Sequence, residues 1–170
     1  MVPTVQVGDY ILTQRPPAGG PAIRSGDIIA FRFPAHEGEA EIDYIKRVIG
    51  LPGDRVQMKQ GVLWINGLPV KRERIADYVD ARGHVAPRYV ETLPNGASYA
   101  ILEADEDRGP FDNTEEFLVE PDHYFVMGDN RDDSMDSRMA HLGQVPAGNV
   151  IGRAVVVYWS GDRSRIATIL

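Results

Sequence analysis

Short runs of β-branched and aromatic residues, broken by Gly, Pro, Asn and Asp, set the pattern of this chain, and no long helical period competes with them. Tyr10 to Thr13 follows Gly8-Asp9. Ile28 to Phe33 follows Gly26-Asp27 and stops at Pro34. Glu41 to Gly50 is the strongest alternating run and is closed by Leu51-Pro52-Gly53-Asp54. Two hairpins are predicted next. Val62 to Ile65 and Leu68 to Val70 flank Asn66-Gly67, a pair suited to a two-residue turn in which both positions need φ > 0. Arg88 to Leu93 and Ala97 to Leu102 flank Pro94-Asn95-Gly96 in the same way. Tyr124 to Met127 and Val150 to Trp159 are the late strands, and the apolar character of the last predicts that Tyr158 and Trp159 are buried. Only Ala76 to Val79 and Asp136 to Leu142 could hold a helical turn or two. The fold class expected is mostly β.

Composition sharpens this in a few places. Seventeen Gly and 12 Pro favour turns and short strands over long helices. Eighteen basic against 25 acidic residues leave a net charge of −7, which argues against nucleic-acid binding, since that needs a basic face. Without Cys there is no disulfide, thiolate metal site or Cys nucleophile. The longest apolar run, Ala154 to Trp159, is far too short to span a bilayer. The opening Met1-Val2-Pro3-Thr4 does not read as a signal peptide; it reads as the inside of a domain.

Candidate chemistry starts with the lysines, of which there are three: Lys46, Lys59 and Lys71. Lys59 and Lys71 lie in polar hairpin surroundings. Alternation puts Lys46 on one strand face with Ile42, Tyr44 and Val48. An ammonium in an apolar row loses hydration, and its pKa falls. A neutral amine is a general base or a nucleophile; the alternative is an edge-strand Lys that snorkels to water. Gly128 to Arg138 packs four Asp, two Arg and two Ser into eleven residues. It fails as a calcium loop, because Arg131, Ser134 and Ala140 would occupy a ligand, the glycine and the terminal Glu positions. The choice there lies between a charged surface loop and a self-satisfied network of Arg forks on carboxylates. The acidic stretch Glu103 to Glu116 is expected to be solvated surface rather than a metal site. No serine lies in a Gly-x-Ser-x-Gly elbow, no His pair has HExxH spacing, and no glycine-rich nucleotide loop is present.

Several segments together resemble the type I signal peptidases of bacteria, membrane-anchored serine proteases that use a Ser/Lys pair. Met1 to Asp9 is similar to the tail of the family's Ser-Met-x-Pro-Thr-Leu-x-x-Gly-Asp box, and Gly26 to Phe31 to its Gly-Asp-Ile/Val-Val strand. Asp43 to Asp54 resembles the lysine box. Gly128 to Arg138 resembles the Gly-Asp-Asn-Arg-Asp-x-Ser-x-Asp-Ser-Arg box, and Val145-Pro146 with Val150 to Ala154 the strand after it. The boxes come in the family's order and spread over the whole chain. The resemblance implies an antiparallel β core from residues 1–56 and 121–170, with residues 57–120 as an inserted β-hairpin lobe.

It also implies roles. Lys46 would be the general base and Ser134 the serine that holds its amine. Asp129, Arg131, Asp136 and Arg138 would buttress the Ser134 loop. Met1, Val5, Tyr44 and Ile45 match positions lining shallow pockets for small side chains. The substrate would be the Ala-x-Ala end of a signal peptide on an exported preprotein, bound by strand addition at the outer face of the cytoplasmic membrane. Contact with the lipid surface would use apolar side chains near the groove, with Val2, Val5, Tyr10, Ile11 and the Arg15–Pro21 loop as candidates, and with Tyr158 and Trp159 as further ones for which burial in the core is favoured. No metal and no organic cofactor is implied. The family's nucleophilic Ser should stand immediately before Met1, so the polypeptide as written is expected to be inactive. A shortened soluble piece, a start assigned at an internal Met, or a pseudoenzyme would account for this, and retention of Lys46 and Ser134 favours the first two. The remaining alternatives are a non-catalytic domain that binds exported peptides and another Ser/Lys protease of the same fold, such as a self-cleaving repressor.

Overall fold

The computed structural model describes residues 1–15, 23–34, 40–104 and 107–170. Among these residues fourteen strands and two short 3₁₀ turns make up the regular structure, every ladder between strands is antiparallel, and the fold is mostly β. The main sheet has seven strands. Its path runs β1 (Tyr10–Gln14), β13 (Val150–Trp159), β2 (Ile28–Pro34), β3 (Glu41–Gly50), β11 (His123–Met127), β12 (Val145–Pro146), and β14 (Thr168–Ile169) pairs with β13. A second sheet orders β10 (Phe117–Leu118), β4 (Arg55–Lys59), β5 (Val62–Ile65) and β6 (Leu68–Pro69). The third joins β7 (Lys71–Val79), β8 (Val85–Thr92) and β9 (Ser98–Leu102).

The two predicted hairpins form. Asn66 and Gly67 sit at φ 52° and 77° between β5 and β6, the left-handed conformations that this dipeptide tolerates best. Gly96, at φ 88°, turns β8 into β9. Ala76 to Val79 is not helical. It belongs to β7, whose ladder with β8 runs from Lys71↔Thr92 to Val79↔Val85, and this non-local pairing overrides local preference. Asp136 to Leu142 is closed by single turn bonds, Met139 N–H to Asp136 O at 3.0 Å and Leu142 N–H to Met139 O at 3.2 Å.

Two apolar clusters lie on opposite faces of the β3 region. Alternation along β3 sends Val48 to one, with Ile29, Phe31, Val126, Leu142 and Val145. It sends Ile49 to the other, with Phe125, Met127, and side chains of β4, β5, β8–β9 and their connections: Val56, Met58, Leu63, Leu93, Ile101. The second cluster therefore draws on all three sheets and ties the residues after β3 back onto it. Tyr158 and Trp159 are not in either cluster. They are about half exposed, because β13 reaches past its neighbours there and pairs only with the irregular start of β1 at Tyr10↔Trp159. The Tyr10 ring packs edge-on against Trp159 at 5.1 Å and Tyr158 at 6.1 Å.

Candidate active site

Register between β2 and β3 puts Ile29 opposite Lys46 and Phe31 opposite Tyr44. Lys46 thus stands on the face built from Phe31, Val48 and Ile29, half-buried, and its Nζ donates to Ser134 Oγ at 2.9 Å. Burial lowers the Lys46 pKa below its ordinary 10.5. The Asp136 carboxylate opposes that shift, and the Arg138 charge adds to it.

Ser134 comes from the loop after β11, which folds on its own charges. Asp136 is fully buried. It accepts from Arg138 Nε at 2.9 Å and Arg138 NH2 at 2.9 Å, and from Gly128 N–H at 3.1 Å. Burial pushes the Asp136 pKa up, but Arg138, the Gly128 amide and the Ser134 hydroxyl together hold it below the ordinary carboxylate value. The order Lys46, Ser134, Asp136, Arg138 is a relay of donors and acceptors that orients the amine. Gly128 makes it possible. A Cβ there would stand 2.2 Å from Ser134 Oγ and 2.6 Å from Ser134 Cβ. Gly128→Ala is accordingly expected to push Ser134 off Lys46 and to lower kcat by about 10²-fold, with KM little changed. Steady-state kinetics on an active form of the protein would check it.

On the opposite face of β3, the next residue builds a second network. Arg47 donates to Asp129 through Nε at 2.8 Å and NH2 at 2.7 Å, and to Gly26 O at 2.7 Å. Its guanidinium lies 4.1 Å over the Tyr99 ring. Thr4 Oγ1 donates to the same Asp129, and Arg165 binds both Thr4 O at 2.8 Å and the Asp9 carboxylate at 2.6 Å. That pairing holds the Asp9 pKa down at about 2. Residues 1–9 are therefore pinned from both ends. The Met1 nitrogen is thereby brought into the half-buried surroundings of the Lys46 amine.

Arg131 does not reach Asp129. It is fully buried and donates through NH1 to Glu91 of β8 at 2.9 Å, through NH2 to the same carboxylate, and through Nε to Gly128 O at 3.2 Å. Tyr99 O–H completes Glu91 at 3.1 Å. Leu102 N–H to Asp129 O (2.8 Å) and Arg131 N–H to Leu102 O (3.0 Å) sew the loop to the end of β9. Lys46, Ser134, Asp136, Arg138 and Met1 are thus brought together, while Asp129 and Arg131 act from the other side of the loop.

Of the remaining candidates, Val5 is buried, and Met1, Tyr44 and Ile45 are half-buried. The Tyr44 ring stacks on Phe31 at 5.6 Å, and its hydroxyl faces Met135 Sδ at 3.9 Å. Because β11 pairs β3 only at Arg47, Val48 and Gly50, the Glu41–Lys46 half of β3 has no strand on that edge among the described residues. The Arg15–Pro21 loop lies outside the described residues apart from Arg15.

Sequence reasoning missed Thr4, Arg47 and Glu91, and it misjudged the acidic stretch. Glu103 and Asp112 are buried, not solvated. Burial, then the Asp132 charge, pushes Glu103 up to about 9. Arg47 was readable as the charged neighbour of Lys46 in an apolar strand; Glu91 and Glu103 gave no local sign of burial.

The family model described as signal peptidase, peptidase S26 matches residues 1–159. A signal peptidase I of Rickettsia bellii (strain OSU 85-389) is 42% identical over 140 residues, covering 79% of this chain and 47% of its own. One from Rickettsia felis (strain ATCC VR-1525 / URRWXCal2) is 39% identical over 157 residues, covering 85% and 58%. The chain spans about half the length of the curated relatives it matches. Among solved structures, a signal peptidase I from Enterococcus faecalis V583 is 28% identical, with a TM-score of 0.43 over 78% of this chain and 97% of that one.

Proposed function

Because the chain belongs to the signal peptidase family, peptidase S26, we propose that it is the catalytic part of a serine endopeptidase that removes signal peptides from exported preproteins after small residues. The observation that carries the reading is the Lys46 Nζ to Ser134 Oγ bond of 2.9 Å, made by an amine whose pKa burial has lowered. Once the amine is neutral, one of its N–H groups stays fixed on Ser134 and its lone pair is free to accept a proton.

The nucleophile this reading needs is the serine that precedes the Met of the family's box. As its oxygen attacks the scissile carbonyl, Lys46 takes the hydroxyl proton and then gives it to the leaving amide nitrogen. An ester to the serine results, and Lys46 next deprotonates the water that hydrolyses it. The edge of Glu41–Lys46, on which no strand lies among the described residues, supports binding of the extended Ala-x-Ala segment by strand addition beside the amine. Met1, Tyr44 and Ile45, with Val5 behind them, would line its shallow pockets.

The test is cleavage of a preprotein with an Ala-x-Ala junction. The polypeptide of residues 1–170 is expected not to cut it, and the same polypeptide with Ser added ahead of Met1 to cut at the junction. Cutting by the first, or none by the second once folded, would overturn the reading.

Working at the outer face of the cytoplasmic membrane would require a surface that meets lipid. Val7, Tyr10, Leu12, Tyr158 and Trp159 are exposed, and the three aromatics form one cluster. With a net charge of −7, binding would come from these side chains rather than from attraction to anionic lipid. Flotation should recover the chain with neutral vesicles as well as with anionic ones, and Tyr10→Ser/Trp159→Ser should abolish it. Recovery with anionic vesicles alone would contradict this.

A further inference from the structure

Glu103, Asp112 and Asp132 each offer a carboxylate oxygen to one cluster, these oxygens lying within 4.8 Å of one another. They come from three places: the residue after β9, the loop before β10, and the loop that carries Ser134. Asp132 accepts from Ala104 N–H at 2.5 Å, and Asp112 from Gly109 N–H at 2.5 Å. Glu103 has no such help. It is fully buried, no N–H group among the described residues donates to either of its oxygens, and what faces them is the Asp132 carboxylate. The Arg72 guanidinium stands 3.9 Å away and is already engaged by Asp107 through two bonds of 2.8 and 2.7 Å.

A buried carboxylate without a donor is costly, and each further acid aimed at it raises the cost. Only a cation or a proton in the middle relieves it. The donor set is all hard oxygen, with no imidazole or sulfur, which is the chemistry of calcium rather than of zinc or copper. Calcium also accepts irregular oxygen geometry from separate segments. We propose that Glu103, Asp112 and Asp132 bind a calcium ion. The ion would tie the end of β9 and the loop before β10 to the Ser134 loop, joining the inserted sheets to the site through a contact that the backbone bonds at Leu102 and Asp129 already prepare. The signal-peptidase reading is not needed for this.

Equilibrium dialysis of the 170-residue chain against CaCl₂ should show one saturable ion per chain with a Kd of about 10⁻⁴–10⁻³ M. At fixed ionic strength, calcium at ten times the Kd should raise Tm by about 3–6 °C, and sodium should not. Glu103→Gln and Asp132→Asn should each weaken binding about tenfold or more, the first removing a buried negative charge and the second a half-buried one whose loss is safer for folding. No bound calcium at about 10 mM free ion would overturn the proposal and leave a shared proton as what holds the carboxylates together. Undiminished binding in both variants would overturn it as well, by putting the ion elsewhere.

Discussion

Lys46→Met, in a polypeptide that carries Ser ahead of Met1, is expected to lower kcat about 10⁴-fold while the protein stays folded. Met keeps the length and apolar body of the side chain, so the row of Ile29, Phe31 and Val48 remains covered. The amine is what disappears, and with it the base that the proposed mechanism assigns to Lys46. Lys46→Arg should rescue nothing, because a guanidinium does not give up its proton at working pH. The sign of the pH dependence follows from the lowered pKa. Activity of the unsubstituted site rises with pH as the ammonium is lost, through a midpoint below 10.5. Stability has the same sense. The folded protein is penalised for holding a buried ammonium at low pH, and that penalty is relieved as pH rises from the folded pKa toward the unfolded value. Lys46→Met should therefore unfold no more easily than its parent at neutral pH, and its stability should lack this rise. A variant with activity within about tenfold of the parent would remove Lys46 from the mechanism.

The sequence made the β3 half of this site legible, because strand alternation is a local rule. Tyr44, Lys46 and Val48 fall on one face whatever the rest of the chain does. The Gly128–Arg138 loop was also readable, since its partners, Asp136 with Arg138 and Gly128 with Ser134, lie within a few residues of each other. What escaped was set by pairing across the chain. Arg131 finds Glu91 forty positions earlier, and Asp129 finds Arg47 and Thr4. A carboxylate such as Glu91 or Glu103 reads as surface until its strand register is known, because acids are so seldom buried without a partner. The same blindness applied to Tyr158 and Trp159, which continue an apolar run but lie beyond the point where the sheet is covered. In β7, the polar sequence around Ala76 to Val79 follows neither a clean two-residue nor a clean helical period, and only the ladder with β8 makes it a strand.

The Arg131–Glu91 pair should be the most sensitive point of the fold outside the apolar clusters. Both side chains are almost completely buried, and four bonds hold them: two between the pair, one from Tyr99 to Glu91, and one from Arg131 to Gly128 O. Removing one charge leaves the other desolvated and alone, so Glu91→Leu or Arg131→Met is expected to cost about 3–5 kcal/mol, read from urea unfolding. The double replacement should recover most of that loss, since two apolar side chains of similar volume need neither charge nor donor. Activity should not recover with it. Arg131 Nε holds the carbonyl of Gly128, the residue packed against Ser134, and a Met at position 131 cannot. Single variants that unfold strongly, a double variant that is stable, and a double variant that remains slow would together separate the two tasks of this pair: supporting β8 against the loop, and fixing the loop where Lys46 needs it. Equal stability of the single and double variants would mean that the pair is relaxed by water and is not the tie between the inserted sheets and the site.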